Sequence, residues 1–122
     1  MTYIPDKEAF GVSKQLAQEE LTTVASSAYS PPATTETLIP IGGIVIANRS
    51  NAARWFSMWI DDDGTGMTSA ELVVNEKDIA SDDIWTNPFE IRMNDSTGNI
   101  SFQAEINSAL TLTINGIETD LS

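Results

Sequence analysis

The chain has 122 residues, of which 18 are acidic and 6 are basic, and it contains neither cysteine nor histidine. This length fits one domain with a substantial core. Without cysteine there are no disulfides or thiolate metal sites, and without histidine the commonest general base and transition-metal ligand are missing. The formal charge of −12 disfavours direct contact with nucleic-acid phosphates.

The negative charge is concentrated after residue 50. Residues 1–50 carry three basic and five acidic residues, a balance of −2, and residues 51–122 carry three and thirteen, a balance of −10. A solvated surface that keeps the protein soluble is one interpretation. A basic docking surface on a partner is the other.

No stretch approaches the run of about 20 apolar residues that a membrane helix needs. The start, Met1 to Asp6, has neither the basic region nor the apolar region of a signal peptide. We therefore expect a protein made in the cytoplasm, with no membrane partner.

Residues 1–28 predict an N-terminal arm outside the core. Within them, Ser13 to Leu21 predicts one or two helical turns, with Ser13 as the cap. The arm is either a disordered tail or a segment that orders against a neighbouring subunit. In the second case its anchors would be the apolar side chains Tyr3, Ile4, Phe10 and Val12.

The remaining sequence consists of short strands separated by turn residues about every ten positions. Strands are predicted at 22–29, 35–47, 53–60, 71–74, 84–93, 100–105 and 110–114, with a bulge or bend at Pro40 and Gly42-Gly43 in the second of these. We take 22–29 as an edge strand. The pattern is typical of an all-β protein, an antiparallel β-sandwich of jelly-roll or immunoglobulin-like type over residues 29–122.

The last two strands show the clearest alternation. Ile100, Phe102 and Ala104 alternate with polar residues, and then Leu110, Leu112 and Ile114 alternate with threonine. A period of two indicates a strand with one buried face. The turn residues at 107–109 predict that the two strands form a hairpin, whose apolar face needs a second sheet to cover it.

Three segments in this order resemble a group of small virion proteins of tailed bacteriophages. They are Ile46-Ala47-Asn48-Arg49-Ser50 after a proline turn, the alternating strand Arg54 to Ile60, and Gly98-Asn99-Ile100 followed by Thr111 to Glu118. The resemblance spans residues 29–118. It implies a compact β-sandwich that serves as a structural part of the particle, often as a trimer, in capsid decoration or in tail, neck and fibre assemblies. It carries no catalytic residues.

Two tryptophans lie on one side of the strand at 53–60. Alternation places Phe56, Met58 and Ile60 on one face and Trp55, Ser57 and Trp59 on the other. If the first face is the core, both indoles lie on the outer face, where paired tryptophans mark interfaces. The alternatives are a strand buried on both faces and a platform that stacks sugars.

The acidic residues give only weak indications of a metal site or of a catalytic carboxylate pair. Asp61, Asp62 and Asp63 before Gly64 are a weak candidate for a Ca²⁺ or Mg²⁺ site, but position 12 of an EF-hand loop would be Leu72. A solvated acidic turn is the favoured interpretation. Alternation puts Glu90 and Glu105 on an outer face, not in a glycosidase cleft. We predict no cofactor, no metal and no enzymatic activity.

The sequence therefore predicts a structural virion protein of a tailed phage that decorates or cements the capsid shell. We expect a homo-oligomer, specifically a trimer, that contacts the major capsid protein or other virion subunits and resides in the virion. Trp55 and Trp59 would help assemble it. The alternative is a binding module of a tail, neck or fibre that contacts glycans through the same tryptophans.

Overall fold

The computed structural model describes residues 12–61, 67–94 and 98–121. Within these ranges the chain forms strands and one short 3₁₀ helix, Ser69–Glu71. The strands are β1 Val12–Glu20, β2 Ser26–Tyr29, β3 Thr35–Ile39, β4 Ile44–Asn48, β5 Arg54–Asp61, β6 Leu72–Ile79, β7 Ile84–Thr86, β8 Ile91–Asn94, β9 Asn99–Ala104 and β10 Leu110–Asp120.

The strands form two antiparallel sheets. In the first sheet β10 is central, with β1 on one side and β3 and β4 on the other, and β8 and β7 pair with β3 and β4. The second sheet has the order β2-β9-β5-β6. β3 and β4 lie end to end along β10, since Leu38 pairs with Ile117 and Ile44 pairs with Ile114. Each sheet therefore has four strand positions.

The strands of the first half of the chain pair with strands of the second half in nested order. β1 pairs with β10, β2 with β9, β3 and β4 with β8 and β7, and β5 with β6. These successive strand pairs alternate between the first and the second sheet. Two packed sheets with four strand positions each, and with this nested pairing, form a jelly roll. The predicted all-β antiparallel sandwich is confirmed, and the strand order selects the jelly-roll alternative.

The predicted closing hairpin is wrong in its pairing. A turn does separate β9 from β10, but β9 belongs to the second sheet and β10 to the first. The two apolar rows that suggested a hairpin instead face each other across the core. Alternation identifies the inward side of a strand, but it does not identify the strand that is its hydrogen-bonded neighbour.

The predicted helical turns at Ser13 to Leu21 are also wrong. β1 pairs along β10 from Val12↔Glu118 to Glu20↔Thr111, with a bulge between Gln15 and Ala17. The bulge shifts the side-chain alternation by one residue, and so it hides the period of two that would have indicated a strand. With β2 in the second sheet, residues 12–28 belong to the sandwich, and the predicted boundary at residue 28 does not separate an arm from it. Residues 1–11 lie outside the described residues.

The core lies between the inward rows of the two sheets. It contains Ile39, Ile44, Ile46, Leu110, Leu112 and Ile114 from the first sheet and Phe56, Met58, Ile100, Phe102 and Ala104 from the second. The ring of Phe56 contacts that of Trp85 across the core, with 4.9 Å between centroids. Burying each large side chain contributes about 1.5–3 kcal/mol, so these rows hold the two sheets together.

The predicted interruption at residues 40–43 is present. Gly43 N donates to Pro40 O at 2.9 Å, which closes a turn, and Gly42 lies in that turn at φ +81°. Ile114 pairs with Ile44 and Ile117 pairs with Leu38, so the five residues 39–43 lie opposite only two residues of β10, 115 and 116. The strand therefore loops out and then rejoins β10.

A buried asparagine stabilises the interruption. The side chain of Asn87 accepts from Ile44 N at 2.8 Å and donates to Pro40 O at 3.0 Å and Phe89 O at 2.6 Å. Asn87 is completely buried. It supplies the hydrogen bonds that the backbone loses where β3/β4 and β7/β8 are both interrupted.

Candidate functional site

The outer face of the second sheet is set by the pairing of β5 with β9. The register runs without a shift from Phe56↔Ala104 to Asp61↔Asn99. Side chains therefore alternate strictly, and Phe56 and Met58 are fully buried in the core. Trp55 and Trp59 consequently lie on the outer side, where both are partly buried.

Trp55 lies between two carboxylate residues. It pairs with Asp78 of β6 on one side, and on the other side its backbone pairs with Glu105, whose N donates to Trp55 O at 2.9 Å. The Glu105 carboxylate accepts from Trp55 N at 3.2 Å and lies 3.7 Å from the Arg54 guanidinium. This row of the sheet is aromatic in the middle and acidic at both sides.

Trp59 lies between Leu72 and Ser101, its register partners on β6 and β9. Ser101 and Ser57 occupy outer positions, but they are only 1% and 3% exposed. Ser57 Oγ accepts from Glu76 N at 3.0 Å, and Ser101 Oγ donates to Asn99 Oδ1 at 2.8 Å, so both hydroxyls are engaged on this sheet.

The outer face carries negative charge. By register its outward positions hold the carboxylates of Asp61, Asp78 and Glu105, whereas Arg54 and Lys77 pair at inward positions with Ile79 and Phe56. Asp78 is exposed and makes no ion pair with any residue that the structure describes. The face therefore combines two indoles with an unneutralised carboxylate.

The predicted acidic loop is only partly described. Asp61 is buried and accepts from Asn99 Nδ2 at 3.3 Å. Asp62 and Asp63 lie outside the described residues. Among residues 12–61, 67–94 and 98–121, no three histidine, cysteine, aspartate or glutamate side chains form a group that would hold a metal ion.

The predicted anchors of the N-terminal segment fall mostly outside the described ranges. Tyr3, Ile4 and Phe10 are among the residues that are not described, and Val12 begins β1. Of the two carboxylates considered for hydrolysis, Glu90 accepts from Arg92 Nε at 2.9 Å, and Glu105 lies at the other sheet.

The sequence analysis missed a buried polar network between the sheets. The Tyr29 hydroxyl on β2 donates to Glu118 on β10 at 2.5 Å and lies 2.6 Å from the Thr37 hydroxyl on β3. Lys14 Nζ lies 2.5 Å from the other oxygen of the Glu118 carboxylate. The inward positions of β10 are 110, 112 and 114, so extending that alternation to residue 118 would have placed the Glu118 side chain inward, but it would not have identified Tyr29 as its partner.

The network shifts the acidity of two groups. Burial raises the pKa of the Tyr29 hydroxyl, and the hydrogen bond to the Glu118 carboxylate raises it further. Burial alone would raise the pKa of Glu118, but hydrogen bonds from Lys14 and Tyr29 and the charge of Lys14 outweigh it and lower this pKa. The ionised glutamate is the form that the fold stabilises.

A shallow open depression is lined by Ala47, Asn48, Arg49, Asp82, Asp83 and Ile84. Its buried polar side chain, Asn48, donates to the carbonyls of Ala52 and Ile79, both at 2.8 Å, and accepts from Ser50 N and Oγ. All of its hydrogen-bonding groups are engaged, so Asn48 stabilises the turn after β4. This places Asn48-Arg49-Ser50 in a structural role.

No family model and no curated protein matches the chain. A search of solved structures finds a chain from the structure of infectious bursal disease virus strain Gx, with 14% sequence identity and a TM-score of 0.43. The match covers 92% of this chain and 38% of that one. In the described part of the chain, no helix is long and apolar enough to cross a membrane.

Proposed function

We propose that this chain is a structural protein of a virus particle and that the outer face of its second sheet is a contact surface in that particle. The pair of partly buried tryptophans on this face carries the proposal. Tryptophan is enriched where subunits meet, because a large apolar ring buries much surface and loses little conformational entropy. The jelly-roll wiring supports it, because viral capsid domains use this fold.

The finer proposal is a decoration or cement protein on the capsid shell of a tailed phage, present as a homotrimer and attached to the major capsid protein. It rests on the segments Ile46 to Ser50, Arg54 to Ile60 and Thr111 to Glu118, which resemble such proteins. The role requires no catalysis and no nucleic-acid contact. Contacts that exist only in the assembled shell would stabilise that shell by mass action.

Truncation of the indoles tests this proposal. Trp55→Ala and Trp59→Ala, singly and together, should release the protein from purified particles in co-sedimentation. The matched control is Ile84→Ala, which removes a side chain that is 57% exposed on the outer face of the first sheet.

Circular dichroism melting of each variant separates loss of contact from loss of fold. The proposal fails if the double variant is folded and its attachment to particles equals that of the control. Stoichiometry in the particle decides the location, because a shell protein is present in many more copies than a tail or neck protein.

The second candidate function is glycan binding by a tail, neck or fibre module. The observation in its favour is that lectin domains also use the jelly roll, and here two indoles share one sheet face with polar side chains. A glycan array tests it. Signals that disappear in Trp59→Ala but persist in Ile84→Ala would favour this module over a shell protein.

A further inference from the structure

The described outer positions of the second sheet carry acidic residues, of which Asp61 is buried. The described outer positions of its strands hold Asp61, Asp78 and Glu105, and they hold no lysine or arginine. Glu105 is partly neutralised by Arg54 at 3.7 Å, whereas Asp78 is exposed and unpaired among the described side chains. A surface that covers this face must therefore tolerate, or neutralise, negative charge.

A second copy of the chain fits this requirement poorly. Each copy carries a net charge of −12, and two copies of this face brought together would oppose carboxylates of the same sign. Like charges juxtaposed in an interface repel each other and disfavour that pairing. Charge complementarity thus selects a basic partner over a self-contact at this face.

The indoles indicate which basic group fits best. Trp55 and Trp59 are both partly buried at outer positions of β5, so each indole keeps part of its surface accessible. An accessible indole face attracts a cation placed over it, and arginine binds there better than lysine because its planar guanidinium stacks and is weakly hydrated.

The spacing of the Trp55 row suits a guanidinium. Directly paired residues on neighbouring strands have Cβ atoms about 4.5–5.5 Å apart, so Asp78 and Glu105 each lie within a side-chain length of the indole between them. A guanidinium stacked on Trp55 has donors on its rim that reach a carboxylate at the side. Asp78 is the carboxylate without a competing partner among the described residues.

We propose that the outer face of the second sheet binds an arginine-bearing surface of a different protein, with Trp55 stacking on a guanidinium and Asp78 neutralising it. This inference deepens the proposed function, because it takes the tryptophan face as the contact surface and names the chemistry of its partner.

The probe is a hexaarginine peptide, compared with hexalysine, titrated into the full chain in 150 mM salt by calorimetry and by tryptophan fluorescence. At this ionic strength charges more than about 8 Å away are largely screened. Hexaarginine should bind more tightly than hexalysine. Trp55→Ala and Asp78→Asn should each weaken hexaarginine about two- to fivefold.

The charge-matched control is Glu20→Gln. Glu20 is exposed, pairs with Thr111 in the first sheet and makes no ion pair with a described residue. This variant also removes one negative charge, so it should change the affinity less than twofold. Asp78→Asn is the informative variant if Trp55→Ala is unstable, since it leaves the packing of the indole intact.

Equal weakening by Asp78→Asn and Glu20→Gln would overturn the proposal, because it would show attraction to net charge alone. Equal affinity for hexaarginine and hexalysine would overturn the role of stacking. Binding of neutral cellohexaose with a Trp55 dependence and no Asp78 dependence would show a glycan surface instead. The proposed virion role is tested separately by particle attachment, which can depend on the tryptophans even if the arginine preference fails.

Discussion

Tyr29→Phe should destabilise the fold more than the loss of one hydroxyl suggests. The Tyr29 hydroxyl joins the two sheets, since it bonds Glu118 and Thr37 of the first sheet from β2 of the second. A hydroxyl has one proton, and here it is donated to the carboxylate, so the Thr37 hydroxyl must donate to Tyr29. Removing the Tyr29 oxygen therefore leaves the Thr37 hydroxyl without its acceptor.

The magnitude follows from these two bonds. A hydrogen bond to a charged group contributes about 1.5–3 kcal/mol, and a buried polar group left without a partner costs about 1–3 kcal/mol. Thr37 is fully buried, whereas Glu118 keeps Lys14 at 2.5 Å. We expect Tyr29→Phe to lower the free energy of unfolding by about 2–4 kcal/mol.

Urea denaturation of Tyr29→Phe, Thr37→Val and the double variant measures this in a double-mutant cycle. Valine has nearly the shape of threonine but needs no hydrogen bond, so the double variant should lose clearly less than the sum of the two single losses. Strict additivity, or a loss below about 0.5 kcal/mol in Tyr29→Phe, would refute the role of this network.

Asn87→Ala removes three side-chain hydrogen bonds in a buried site and should cost about 3 kcal/mol or more in urea denaturation; a loss under about 1 kcal/mol would show that water replaces the side chain. Gly116→Ala would place a Cβ 2.8 Å from Leu16 Cδ1 and 2.8 Å from the Leu38 carbonyl oxygen, so its melting temperature should fall by several degrees, and a wild-type value would contradict this packing. Because the folded pKa of Glu118 is lowered, its contribution to stability is complete above the unfolded pKa of about 4.3 and declines as the pH falls through the folded pKa. In Glu118→Gln, urea denaturation at a series of acidic pH values should therefore show a smaller decrease in the free energy of unfolding.

The strands could be predicted wherever a regular period of two survives. It does so in β5, β9 and the first half of β10, where the inward apolar residues are buried or packed against the core, although the outward residues Ser57, Asp61 and Ser101 are buried as well. β1 was missed because its bulge between Gln15 and Ala17 interrupts the period. Its residues are also mostly polar, as is expected for an edge strand that needs few apolar contacts.

Strand neighbours could not be predicted from the pattern. In this jelly roll most strands pair with one far away in sequence, such as β1 with β10, whereas β9 and β10, which are adjacent in sequence, lie in opposite sheets. The apolar period of β9 and β10 is the same whether they pair side by side or face each other across the core. The hydrogen-bonded register that separates these cases is set by tertiary contacts.

The candidate surface, too, was predictable only where it depends on local alternation. The outward placement of Trp55 and Trp59 follows from local alternation, so the sequence was sufficient to predict it. The flanking pair of Asp78 and Glu105 depends on which strands neighbour β5, and this was not predictable. The contact of Tyr29 with Glu118 spans 89 residues, beyond the reach of any local pattern.

The edges of both sheets explain why partners would bind to faces. An exposed strand edge invites pairing with another chain, and bulges, prolines and charges prevent it. All four edges carry such interruptions: a bulge at Gln15/Ala17 in β1, one at Ser27/Tyr29 in β2, the shifts beside Phe56 and Met58 in β6, and residues 87–90 with Pro88 between β7 and β8. Adding a strand from a neighbour would need a regular ladder that none of these edges offers. Under the proposed virion role, the sheet faces are then better suited than these edges to contact other subunits, and the aromatic, acidic face of the second sheet is the surface that we propose.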